Sequence, residues 1–142
     1  MARRPSYDEI EHTADVGIEF RTADLKSAFE RAAAAMFDLI VDLDQIEDRT
    51  RRTVTVEGRD SDPENLLVRW LSQLLFMFET ESLLLASFSV KLEGPSLVAH
   101  CSGEHLDTSR HFVKNELKAA TYHGIALEDL GDEWLVRIIF DA

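Results

Sequence analysis

The sequence predicts a single α+β domain, a mostly antiparallel sheet carrying two amphipathic helices on one face. Three observations predict it. Strand-type alternation occurs near both ends of the chain, two helix-length stretches with apolar spacings of three and four lie between them, and a Gly-Pro hairpin signal sits in the second half. A length of 142 residues fits one domain with one core, and no repeat, low-complexity tract or linker divides residues 1–142.

The elements follow in order. Alternation begins at Val16, with Val16, Ile18 and Phe20 facing one way and Gly17, Glu19 and Arg21 the other, as in a strand with one buried face. Asp24 then reads as the N-cap of a helix whose apolar stripe is Leu25, Ala28, Phe29, Ala32, Met36 and Ile40. The acidic stretch "DLDQIED" reads as a solvated connection. Counted from Asp42, Glu47 and Thr53 stand where an EF-hand loop needs glycine and glutamate, so it is no EF-hand. "TVTVEG" alternates again. In "SDPENLLVRWLSQLLFMFETE", Asp62 reads as N-cap and Pro63 as first helical residue, with Ser61 and Glu64 as an alternative capping box. Leu67, Trp70, Leu71, Leu74 and Phe78 form its stripe, and Trp70 and the Phe76–Phe78 run read as core.

"SFSVKL" and "SLVAHCS" around "EGPS" read as a hairpin. Thr108 or Ser109 is a candidate cap for a helix in "TSRHFVKNELKAATYHG" that ends at Gly124 and is followed by a strand, whereas "KAATYHGIAL" reads equally as extended. "EWLVRIIFDA" closes the chain as a strand with Trp134, Val136, Ile138 and Phe140 on one face.

Composition narrows the function. Hydrophobic residues make up 45% and charged residues 30%, as in an ordinary globular protein, and no apolar run approaches the ~20 residues that span a bilayer. The N-terminus lacks the apolar core of a secretory signal, and the single cysteine, Cys101, excludes an internal disulfide; a cytoplasmic location is expected. In its strand, Cys101 reads as a buried, inert thiol, because the neighbouring His100 points to the opposite face. The net charge of -12 opposes tight, direct nucleic-acid binding and suits a basic protein partner or a hard cation.

The stretch "EHTADVGI" places Glu11, His12 and Asp15 just ahead of a strand, and Asp141 ends the last one. If the two strands pair antiparallel, the start of one lies beside the end of the other, ~4.8 Å away. Parallel pairing would separate the two carboxylates by ~20 Å. Ala142 is the last residue, so its terminal carboxylate adds a third anionic donor beside Asp141. Oxygen-only donors select hard ions, Ca²⁺ first, with Mg²⁺ or another divalent ion as alternatives. Turn chemistry alone also places aspartate at strand ends.

Four blocks, "EHTADVGIEF", "LLVRWLSQLLFMFE", "KAATYHG" and "RIIFDA", together resemble the archease family in order and spacing over nearly the whole chain. Ala142 departs from the branched aliphatic residue usual at the family's end, and "SRHFVKNEL" departs from the family pattern. The resemblance implies an accessory protein that activates an RtcB-type tRNA-splicing RNA ligase, promoting guanylylation of the ligase and its multiple turnover. It also implies a calcium site at Asp15, Asp141 and Ala142, and no catalysis by the chain itself.

His12 reads equally as a local cap or as a functional group beside Asp15. For His123 a buried, hydrogen-bonded role is favoured over membership of an acid-base cluster with His12 and Asp15. Lys118 reads as solvated, with contact to a carboxylate or phosphate as the alternative. Two other functions stay open: a metal-assisted hydrolase using His12, Asp15 and His123, and a chaperone-like interaction module.

Overall fold

The computed structural model describes residues 5–12, 15–59 and 61–142, the side chains of Glu11 and His12 excepted. Its elements are β1 (Asp8–His12), β2 (Asp15–Thr22), α1 (Leu25–Ile40), β3 (Thr50–Glu57), α2 (Pro63–Glu81), β4 (Leu83–Glu93), β5 (Ser96–His105), β6 (Ala119–Ala120), β7 (Ala126–Asp129) and β8 (Trp134–Asp141). Every strand pairing is antiparallel, but the strands form two sheets. One runs β1-β2-β8-β6, with β7 also on β8, and the other runs β3-β5-β4. The strand β1 pairs with β2 through Glu9↔Ile18 and Ile10↔Gly17, and its own sequence lacks the apolar alternation that announces β2.

Both helices start where local chemistry places them. The Asp24 side chain accepts the Ser27 N–H, satisfying one of the free donors of the first turn of α1. Asp62 rather than Ser61 caps α2, accepting from the N–H groups of Glu64 and Asn65, with Pro63 in the first turn. The stripe of α1 is buried from Ala28 to Ile40, and the helix packs on β4, β2 and β8. The Trp70 ring on α2 is fully buried, donates from Nε1 to the Phe29 carbonyl at 3.0 Å and meets Phe88 edge-on. That bond ties the two helices together through the core. Phe76 departs from the expected core run: it is 58% exposed, because α2 turns this position away from the sheets.

The predicted helix after Ser109 does not form. Asp107 instead accepts from the backbone and hydroxyl of Ser109 in a local turn, and residues 111–118 run without helix or strand. The physical reason is tertiary. The Lys114 N–H donates to the Ile40 carbonyl and Asn115 Nδ2 to the Leu39 carbonyl, each at 2.7 Å. These are among the last carbonyls of α1, which have no partner within the helix. The segment serves as the C-terminal cap of a helix some 75 residues earlier, and a helix of its own would withdraw the Lys114 N–H.

At the other end of the first sheet, β1 separates from β2 beyond Asp8. Arg31 reaches from α1 into this gap, donating to the carbonyls of Arg21 at 2.8 Å and Ser6 at 2.7 Å, with its guanidinium 4.7 Å from the Phe20 ring centroid. Burial lowers the pKa of this guanidinium from its ordinary value.

The sharpest steric constraint lies in the second sheet. A Cβ on Gly103 of β5 would overlap the Leu84 carbonyl, beside the register shift between Leu85 and Ser87 of β4. Gly103→Ala should therefore destabilise the fold by about 3 kcal/mol, since backbone must move to admit the methyl. Urea denaturation followed by circular dichroism measures it, and a loss within experimental error would refute the constraint.

Candidate functional site

The site begins with strand parity. Val16, Ile18, Phe20 and Thr22 of β2 point into the core, so Asp15, Gly17, Glu19 and Arg21 lie on the outer face. The register pairs Asp15 with Asp141, Gly17 with Ile139, Glu19 with Arg137 and Arg21 with Leu135. The two aspartates are therefore direct cross-strand neighbours on one face, as the antiparallel alternative required. Two rows along, Arg137 Nε donates to Glu19 Oε1 at 2.7 Å and joins the same outer face.

Ile139 is apolar on this outer face, and its burial explains Gly17. A Cβ on Gly17 would come within 2.6 Å of Ile139 Cδ1 and 2.8 Å of the Ile138 carbonyl. The chain after β6 helps to close over the residue, since Thr121 donates to the Ile139 carbonyl from both N–H and Oγ1. On the far side of Asp141 lies Ala119 of β6, and the Lys118 N–H donates to the Asp141 carbonyl at 2.8 Å. The end of β8 thus collects "DVG", "KAA" and the C-terminal Ala142, which is exposed. Lys118 has an exposed side chain, as expected for a solvated lysine.

His123 is exposed, which corrects the favoured expectation of a buried, bonded ring. Its loop crosses the solvent side of Ile139 rather than entering the core. His12 is the register partner of Asp15, but the roles considered for its imidazole fall outside the described side chains. Among the described residues, no three His, Cys, Asp or Glu side chains gather into a metal-binding group. The donors that Asp15 and Asp141 offer on this face are hard carboxylate oxygens. Cys101 is buried, and burial pushes its thiol up to about 12, which removes the thiolate that nucleophilic chemistry needs.

A second cluster escaped the sequence reading. Glu104 at the end of β5 and His111 are buried charged or polar groups. Glu104 accepts the Glu47 N–H at 2.7 Å, a bond from the Arg110 guanidinium and one from His111 Nε2 at 3.0 Å. His111 Nδ1 accepts the Asp107 N–H at 2.9 Å, so Nε2 carries the ring proton and also reaches the Gln45 carbonyl at 3.1 Å. Arg110 pairs further with Glu47 at 3.1 Å. Burial pushes the Glu104 carboxyl up, but the Glu47 N–H, Arg110 and His111 outweigh it and hold the group below its ordinary value of 4.5. The cluster fastens the turn at 107–111 to the loop before β3. Its only sequence signal is an unremarkable Glu among polar residues, because its partners come from two separate stretches of the chain, residues 45–47 and 107–111.

Known proteins resemble this chain over nearly its whole length. The model of the archease protein family matches residues 7–142. Protein archease of Pyrococcus abyssi is 40% identical over 140 residues, covering 95% of this chain and 97% of that protein. Protein archease of Sulfurisphaera tokodaii is 34% identical over 137 residues, covering 95% and 97%. The solution structure of protein 1598 of Methanobacterium thermoautotrophicum superposes with a TM-score of 0.83 at 32% identity, covering 96% of this chain and 98% of that one. The crystal structure of an archease, described as a possible chaperone, from Thermotoga maritima gives a TM-score of 0.62 at 20% identity, covering 100% and 98%, and shows the shared fold.

The Glu104 cluster makes stability depend on acidity in one direction. A carboxyl held below its ordinary value stabilises the fold above pH 4.5 and loses that contribution as acid protonates it. Glu104→Gln should lower the urea midpoint at pH 7, and the gap to the parent protein should narrow as pH falls below 4.5 through the folded-state value. An equal gap at pH 7 and pH 3, about four units apart, would remove the carboxylate from the account.

Proposed function

The chain belongs to the archease family, and we propose that it serves an RtcB-type tRNA-splicing RNA ligase as an accessory protein, promoting the ligase's guanylylation and multiple turnover. The proposal includes a divalent cation, calcium first, held by Asp15, Asp141 and the Ala142 carboxylate. Family membership supports the accessory role. The observation that carries the cation site is the direct Asp15↔Asp141 pairing on the outer face at the C-terminal end of β8.

The donor set fits a hard ion. Two carboxylates face each other across neighbouring strands, and the chain terminus follows Asp141 immediately. A bound cation would neutralise the three anionic groups and hold the C-terminal end of β8 against the start of β2. The protein's own residues set the shape around it: Gly17 admits Ile139, and the Lys118 N–H fixes the Asp141 backbone. The negative overall charge suits contact with a protein rather than with a phosphate backbone. A metal-assisted hydrolase has less support, because His123, one of the residues it needs, is exposed and among the described residues does not group with Asp15 and Asp141. Among the described residues no helix is long and apolar enough to cross a membrane.

Asp15→Ala and Asp141→Ala should each weaken calcium binding, measured by titration calorimetry, at least about tenfold, and should lower multiple turnover of the ligase with guanine nucleotide. Unchanged calcium affinity in both variants would dismiss the site. Ligase turnover that is the same with and without the parent protein would dismiss the accessory role. A pull-down from native extract yielding many unrelated clients, and no dominant ligase, would favour a chaperone-like module instead.

A further inference from the structure

A cleft of about 690 Å³ opens between the end of β3, the outer side of α2 and the loop that carries Tyr122. This volume lies in the range of small-molecule sites. Its charge pattern sets it apart. The chain has 27 acidic and 15 basic residues, and most described arginines and lysines lie within ion-pair distance of a carboxylate. Arg59 and Arg69, both lining the cleft, make no such pair among the described residues. Among the described residues, Arg69 Nη1 donates to the Glu57 carbonyl at 3.3 Å and to no carboxylate. In so acidic a chain, two arginines without carboxylate partners in one concavity leave a group of strong donors turned toward an anion.

The same cleft holds an oriented aromatic wall. Asn65 Oδ1 accepts the Arg59 N–H at 3.1 Å, which fixes the amide, and its Nδ2 donates to the Tyr122 hydroxyl at 2.6 Å. The Tyr122 oxygen therefore acts as acceptor, leaving its own proton to donate. The ring is 53% exposed although its far end is anchored. A large, half-exposed aromatic held in place beside unpaired guanidinium groups is suited to stacking on a planar ring. Gln73 and Ser72 supply neutral donors and acceptors along the wall of α2.

We propose that this cleft binds a nucleoside monophosphate, with Arg59, Arg69 and the Tyr122 hydroxyl taking the phosphate and the Tyr122 ring taking the base. The chain's negative field opposes a long polyanion, whereas one phosphate responds to the local balance of two arginines against Glu57. The site uses neither Asp15 nor Asp141, and it stands independently of the accessory role and its cation.

The test is a titration of the full-length, ¹⁵N-labelled protein at low salt with AMP, adenosine, ribose 5-phosphate and inorganic phosphate. AMP should give saturable shifts at amides of residues 55–59, 65–73 and 122, and bind more tightly than adenosine or ribose 5-phosphate. Arg59→Ala with Arg69→Ala should weaken AMP at least about tenfold. Tyr122→Leu should weaken AMP by a clearly larger factor than ribose 5-phosphate, which loses only the hydroxyl and not the ring. All these side chains are at least partly exposed, so unchanged spectra away from the cleft verify the fold of each variant. No saturable shift with AMP up to about 10 mM would overturn the proposal. So would shifts confined to other residues, or full affinity in the double arginine variant. Equal binding of AMP and ribose 5-phosphate, both indifferent to Tyr122→Leu, would overturn the role of the ring.

Discussion

Residues 15–22 are held against residues 134–141 by the antiparallel register of β2 and β8, and much of the structure follows from that one pairing. Because side chains alternate along a strand, the register that sends Ile18, Phe20, Ile138 and Phe140 into the core also sends Asp15 and Asp141 outward together. A slip of one residue would reverse both sets at once. The apolar core therefore enforces the juxtaposition of the two carboxylates, although neither contributes to it. The remaining strands of that sheet attach to this pair: β1 along β2, and β6 and β7 along β8.

The long excursion between β5 and β6 shows a second kind of constraint. Residues 106–118 connect the two sheets, and their polar groups are used mainly by distant parts of the chain. Leu106 N–H donates to the Ser82 carbonyl just past α2, Lys114 and Asn115 cap α1, and Lys118 holds Asp141. Arg110 and His111 meet Glu104 under the loop before β3. Among the described side chains, no buried nitrogen or oxygen lacks a partner. An irregular segment can lie on this core because its backbone donors reach acceptors that the helices leave open.

Charge is distributed with the same economy. An excess of carboxylates lets most cations pair locally, and the outer face of the first sheet carries both a like-charged row at Asp15 and Asp141 and a compensated row at Glu19 and Arg137. Among the described residues, Arg31, Arg51, Arg59, Arg69 and Lys118 make no such pair. Arg31 is occupied by two carbonyls and the Phe20 ring in the gap between strands, whereas Arg59 and Arg69 face an open cleft. The buried cluster at Glu104 and the open cleft therefore use arginine in opposite ways, one satisfied by carboxylates and one turned to solvent.

Much of this was legible in the residues themselves. Apolar spacing, the caps at Asp24 and Asp62, the Gly-Pro hairpin and the closing strand are local signals, and each appears where its pattern places it, since burial of one face and satisfaction of terminal N–H groups are short-range demands. Strand parity likewise placed Asp15 and Asp141 off the core-facing set. What the sequence left open was which strands pair and in which sense. Antiparallel pairing of β2 with β8, the division into two sheets, the exposure of Phe76 and His123, and the loss of the helix after Ser109 all depend on partners far away in the chain. A cap sequence such as that at Asp107–Ser109 supports either a helix or a turn. Only the free carbonyls of Leu39 and Ile40 decide between them, and only the folded chain brings those carbonyls within reach.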